Sequence, residues 1–259
     1  MNKDRHMGQQ LSYIVASLAA VASLGGIFWD GLYRDSEMIQ AVWLVNDLIT
    51  LFVAVPLLLG SVYFALQGSL RASFIWVGVL WYLIYNYAFY MYGAVFNAFY
   101  LLYILTFSIT VYALVCTIYK VKDRICDPLI VENIPAKVIS RFLLGFAAAL
   151  GIPWAVLSLS FVFSGEIPPF EMTIVFTTDL TLLVSVLVFA GILLRKNSPW
   201  GVVVAAMIML KGVLYPVVLI TGGILAFFRT GIWDAFIPLY ALLWLLCMLF
   251  YSKLLRNIK

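Results

Sequence analysis

Eight runs of predominantly apolar residues, near 11–29, 41–66, 74–92, 97–118, 142–163, 173–194, 201–227 and 235–252, take up most of this 259-residue chain. Each run is close to or longer than the roughly 20 residues a helix needs to cross a hydrocarbon core about 30 Å thick. A backbone in lipid must satisfy its own polar groups, so only helices and closed barrels can span. The runs are continuous rather than short and alternating, which argues against a β-barrel. The expected fold is all-α: a polytopic transmembrane helical bundle of eight spans. Composition agrees, because 65% of the residues are hydrophobic and 11% charged, whereas a soluble domain is about half apolar and about a quarter charged.

Cations orient such a chain, since Lys and Arg are retained on the cytoplasmic side. With the N-terminus inside, the inner segments carry Lys3, Arg5, Arg71, Lys120, Lys122, Arg124, Lys137, Arg141, Arg195, Lys196, Lys253, Arg256 and Lys259. The outer loops carry only Arg34 and Arg229, and Lys211 lies within a span. This bias predicts a multi-pass protein of the cell membrane with both termini cytoplasmic. It also accounts for the net charge of +4 as a topology signal, so no nucleic-acid partner is expected. Lys3 and Arg5 ahead of the first run also suit a signal peptide, but the run is long for one. Cys116, Cys126 and Cys247 fall on the reducing side without C-x-x-C spacing, which leaves them as packing residues rather than disulfides or metal ligands.

An internal similarity divides the chain. Asn97-Ala-Phe-Tyr-Leu-Leu-Tyr-Ile-Leu105 opens the fourth span and Asp234-Ala-Phe-Ile-Pro-Leu-Tyr-Ala-Leu242 the eighth, with five of nine positions identical. Asp47-Leu48 with Leu51 in the second span has its counterpart in Asp179-Leu180 with Leu183 in the sixth. The matches are collinear. They predict two four-helix repeats, 1–118 and 142–259, joined by a basic cytoplasmic linker 119–141. Four is even, so the halves would be parallel and related by a pseudo-twofold axis along the membrane normal. Chance resemblance among Leu-, Phe- and Tyr-rich helices is the competing explanation.

The segments Asn46-Asp-Leu-Ile-Thr-Leu51, Tyr85-Asn-Tyr-Ala-Phe-Tyr90 and Leu210-Lys-Gly212 resemble an uncharacterised family of prokaryotic multi-spanning membrane proteins. The resemblance implies a prokaryotic membrane protein and transfers no activity, cofactor or site residue.

Charges inside the membrane cost roughly 2.5–3.5 kcal/mol each and usually face the bundle interior or a water-filled path. Asp47, Asp179 and Lys211 are the three such residues, the acids about 9 Å deep from the outer helix ends and Lys211 near the midplane. They suit an ion relay or a counter-charge for a solute; equally, an acid could pair with Lys211 to fix helix register. Tyr215 lies one turn beyond Lys211, and Pro216 removes the hydrogen bond to the Gly212 carbonyl. In the third span Tyr82, Asn86 and Tyr90 share a face. Tyr82, Tyr85 and Asn86 need partners, while Tyr90 and Tyr92 suit an interfacial belt. Thr178, Thr181 and Ser185 form a polar stripe suited to packing or a pore. Gly25, Gly26, Gly222 and Gly223, with Gly145, Ala147, Ala148, Ala149 and Gly151, are expected to admit close helix contact.

The only histidine is His6, and no GxSxG, GxxxxGK[ST] or GxGxxG motif occurs, so neither an enzyme nor a cofactor is expected. A retinal protein with a Schiff base on Lys211 conflicts with the eight-span topology. The expected function is a permease-like handler of a small solute or ion, with an intramembrane polar site of Asp47, Asp179, Lys211, Asn86 and Tyr215. The alternative is a membrane scaffold, sensor or immunity-type protein acting through helix contacts. The expected partners are the lipid bilayer and a small solute or ion; a homo-oligomer is compatible with either reading.

Overall fold

The computed structural model describes residues 4–127, 130, 132 and 134–258. Lys3 and Lys259, and the side chains of Arg5, His6 and Glu171, lie outside the described residues. Eight helices are long and apolar enough to cross a membrane, and no strand occurs among the described residues. They are α1 (Asp4–Phe28), α2 (Glu37–Leu66), α3 (Leu70–Gly93) and α4 (Tyr100–Ile125). After these come α5 (Ala136–Ser164), α6 (Phe170–Thr178, Asp179–Val184 and Ser185–Arg195), α7 (Pro199–Thr230) and α8 (Ile237–Asn257).

Local chemistry sets the ends of these helices. Ser69 caps α3 by accepting from the Ala72 amide at 3.2 Å, which satisfies one of the free donors of a first turn. Gly165 and Gly231, both at φ 73°, end α5 and α7 in the left-handed conformation that glycine takes without a Cβ clash. Asn97 Oδ1 accepts from Phe99 N at 2.9 Å ahead of α4. Asp234 Oδ1 accepts from Phe236 N at 2.8 Å ahead of α8.

Two helices depart from regular α geometry in the middle. In α2 the segment Thr50–Ala54 is a π turn, and in α6 so is Asp179–Val184. Such turns insert one residue into the ladder and rotate the rest of the helix relative to its start. Each lies within three residues of an intramembrane aspartate, Asp47 or Asp179.

The centre of the bundle is the pair α3 and α7, both buried along most of their length. They touch directly where Gly78 sits against Leu210; a Cβ at Gly78 would come within 2.7 Å of Leu210 Cδ2. Around this pair α3 packs on α2 and α4, and α7 on α6 and α8. Contacts α2–α7 and α3–α6 cross between the halves. α1 closes the first half against α2 and α4. α5 leans on α6 and leaves most of its surface to lipid.

Several expectations are corrected. Gly145 faces open space, and Ala148 and Ala149 are exposed, so only Ala147 and Gly151 of that stretch meet neighbours. Thr181 and Ser185 also face outward, and their hydroxyls bond the carbonyls of Thr177 and Thr181 on their own helix. Those two positions are thus neither pore nor packing surface, because back-bonding already satisfies them in lipid, whereas Thr178 is buried in the bundle at 2% exposure. The basic linker is mostly helix, as α4 runs to Ile125 and α5 starts at Ala136. Some of its cations have local work: Arg124 donates to the carbonyls of Ala65 and Gly68. Arg71 likewise holds the C-terminal end through Ile258 O at 2.9 Å.

Candidate intramembrane site

The helices begin earlier than hydropathy suggests, which places the aspartates deeper. Asp47 is ten residues into α2 and Asp179 nine into α6, about 15 and about 13 Å along at 1.5 Å per residue. Lys211 is about 18 Å from the start of α7, which enters from the opposite face. All three are buried: Asp47 is 2% exposed, Asp179 9% and Lys211 4%.

They do not share one chamber. The first centre is packed shut around Asp47. Tyr33 donates to Asp47 Oδ2 at 2.6 Å and Tyr90 to Oδ1 at 2.8 Å. Tyr33 comes from the α1–α2 loop, which turns inward after Gly31 at φ 78°. Its ring stacks near Trp43 and Tyr90, and Tyr90 stacks in turn on Tyr103 with centroids 5.0 Å apart. α1 fits over this group only through Gly26, where a Cβ would stand 1.8 Å from Asp47 Oδ2. One turn deeper, Asn46 donates to Asn86 Oδ1 at 2.7 Å, and Asn86 donates to Thr50 Oγ1 at 3.1 Å. Two hydrogen bonds to the Asp47 carboxyl group and a closed amide network leave this centre no open coordination.

The second centre lies between α3, α5, α6, α7 and α8 and encloses a cavity of about 300 Å³. Tyr85 donates to Asp179 Oδ1 at 2.8 Å, and Trp154 Nε1 donates to Oδ2 at 3.1 Å. Lys211 Nζ lies 3.8 Å from the centroid of the Tyr85 ring and 4.5 Å from that of Tyr215. It has no hydrogen bond or ion pair with a described residue. An ammonium over aromatic faces gains about 2 kcal/mol when desolvated. The bond from Tyr85 to a carboxylate adds electron density to the same ring that faces Lys211. Gly212 and Pro216 also line the cavity, and Pro216 leaves the Gly212 carbonyl without its helical donor.

Above this cavity, away from the chain termini, is a recess of about 210 Å³ between α2, α3, α6 and α7; it shares Phe89, Val175, Tyr215 and Leu219 with the cavity. A third recess of about 360 Å³ shares Met38, Val42 and Leu219 with the second and reaches the loop residues Ile232–Phe236. Toward the termini, Gly78 of α3 packs directly on Leu210 of α7, the residue before Lys211.

Of the five expected site residues, Asp179, Lys211 and Tyr215 come together at the open centre, while Asp47 and Asn86 belong to the closed one. The helix α3 joins them, with Tyr85 facing Asp179 and Asn86 and Tyr90 facing α2. Tyr90 is thus an interior ligand of Asp47 rather than an interfacial belt residue, whereas Tyr92 is exposed. Sequence reasoning missed Tyr33, Trp154 and Tyr240, the last of which also lines the cavity. Tyr33 sits among Asp30, Arg34 and Asp35 and reads as a surface-loop residue. Tyr240 had a signal, its alignment with Tyr103.

Comparison with known proteins found no matching family model, no matching curated protein and no matching solved structure.

Proposed function

We propose that the chain is a permease-like membrane protein that handles a small solute or ion at the Asp179–Tyr85–Lys211 centre. One observation carries this reading: Lys211 is buried within a span with no ion pair to a described residue, and it lines a cavity together with the carboxylate of Asp179. A purely structural lysine would have its charge closed by an acid, since an uncompensated buried charge is costly. Here aromatic faces hold the amine and leave its donors free for a ligand. The cavity is at the lower end of ligand-pocket volumes. The succession of recesses toward the face opposite the termini provides a route, and the tight α3–α7 contact forms a barrier below, the arrangement alternating access requires.

The cation distribution supports placing the termini in the cytoplasm of a cell and the recesses on its outer side. A duplication into 1–118 and 142–259 is part of the same reading. It is supported by the matched caps at Asn97 and Asp234 and by the π turns beside Asp47 and Asp179. Exchanging each helix with the fourth one along also converts the α2–α7 contact into α6–α3, and both exist. In this view one half keeps its aspartate sealed as a pivot and the other opens its aspartate to ligand.

The test is flux in proteoliposomes, read by an internal pH dye and by electrogenic current, with a panel of small carboxylates, amines and zwitterions. Lys211→Met and Asp179→Asn are expected to insert normally and to lose at least tenfold in flux. Unchanged flux in both variants, or none from the wild-type protein across the panel, would favour the scaffold or sensor reading.

A further inference from the structure

A second polar recess, sharing no lining residue with the central cavity, lies where α5 and α6 reach the face that bears the termini. Its volume is about 390 Å³, and it is lined by Lys137, Ser140, Arg141, Leu144 and Arg195. Lys137 and Arg141 are four residues apart and share one face of α5, and Arg195 stands in the last turn of α6. All three cations are exposed and none has a hydrogen bond or ion pair with a described residue. Among the described residues no acid lines the recess; Glu132 lies in the neighbouring one, which shares Lys137.

The walls are held together. Ser140, 2% exposed, donates to Gly191 O at 2.8 Å, and a Cβ at Gly191 would come within 2.7 Å of Leu144. The recess is therefore a notch between two clamped helices. Retention of a loop requires only that cations be present on one side; it does not require three of them to converge unpaired on one notch.

We infer that this notch binds the phosphodiester headgroup of an anionic phospholipid. Three cations matching one small anion supply charge-assisted hydrogen bonds, the guanidinium groups in fork geometry. The position favours a lipid over a soluble anion. Val188 and Ile192 lie seven and three residues before Arg195, on the same face of α6, and both are exposed. Exposed Ala148 follows Leu144 by one turn on α5. An apolar surface thus runs from the cations into the span, where acyl chains would lie. Basic pockets between spans on the cytoplasmic side are known to take acidic lipid headgroups.

The test uses the full-length purified protein, with native mass spectrometry scoring bound phosphatidylglycerol against phosphatidylcholine. The variant K137Q/R141Q/R195Q is expected to bind phosphatidylglycerol roughly 100-fold more weakly than wild type, at about fivefold per cation. The charge-matched control K120Q/K122Q/K253Q removes three cations from the same face and should retain wild-type binding, while the charge-keeping R141K/R195K, which loses only the guanidinium forks, should fall between wild type and the neutral variant. If the triple variant fails to fold, K137Q and R195Q alone should each lose about fivefold. Equal loss in the variant and the control would overturn the inference, because it would show bulk attraction rather than a site. So would thermal stabilisation of the wild type by inorganic phosphate without retention of phosphatidylglycerol, which would make the notch a soluble-anion site.

Discussion

Tyr85 donates its hydroxyl to Asp179 at 2.8 Å, and the face of the same ring lies 3.8 Å from Lys211 Nζ. One side chain on α3 thus couples the acid of α6 to the cation of α7. Tyr85→Phe should keep the ring and lose the bond. The expected cost is about 1–2 kcal/mol, with the cavity retained. Tyr85→Leu should cost more, because it also removes the aromatic face under Lys211. Unfolding of the two variants in mixed micelles gives the comparison; equal stability of Phe and Leu would mean that the cation–π contact contributes nothing.

The two aspartates should separate stability from function. Asp47 accepts from Tyr33 and Tyr90 in a sealed centre, so Asp47→Asn places an amide donor against a hydroxyl donor and should lower thermal stability by about 1–3 kcal/mol. Its residual folded fraction should carry flux at the wild-type rate per molecule. Asp179→Asn also meets two donors, Tyr85 and Trp154, so it should cost a similar amount of stability, but its folded fraction should lose flux per molecule. Parallel melting and flux measurements decide it.

Glycines provide a geometric control. Gly26→Ala would push a Cβ into Asp47 and is expected to destabilise by about 1–3 kcal/mol through overpacking. Gly145→Ala meets nothing within 4 Å and should be neutral or slightly stabilising, since alanine is favoured over glycine within a helix by about 1 kcal/mol. A destabilised Gly145→Ala would indicate a partner on that face of α5.

Cys126 reports on orientation and on its own environment. In a C116S/C247A background an impermeant maleimide should label it only from the side bearing the termini. Partial burial, and then the nearby Asp123, push its thiol pKa up, against a smaller opposing effect of Lys122. The thiolate is the reactive form, so labelling at neutral pH should be slower than for a free thiol. The rate should keep rising with pH beyond the point where an unperturbed cysteine levels off. Labelling from the opposite side would invert the proposed topology.

How much of this was legible in the sequence can be judged residue by residue. The eight spans were, because length and hydropathy are properties of the chain read one residue at a time. So was the cost of keeping Asp47, Asp179 and Lys211. Their division into two centres was not, because in helices that are apolar all round no amphipathic stripe reveals which face turns inward. Thr181 and Ser185 illustrate the error: the same spacing could line a pore, and only contact with neighbours turns them to lipid.

By itself the sequence determined the number of spans, the one-sided placement of the cations and the presence of charges within the spans, all of which come from transfer energies that add along the chain. Only the tertiary structure decided that Tyr33 folds inward onto Asp47, that Tyr85 joins Asp179 to Lys211, and that one centre is sealed while the other is open. These depend on the rotation and close approach of helices far apart in sequence. They are set by packing at positions such as Gly26 and Gly78 and by the π turns in α2 and α6, not by the hydropathy of any single segment.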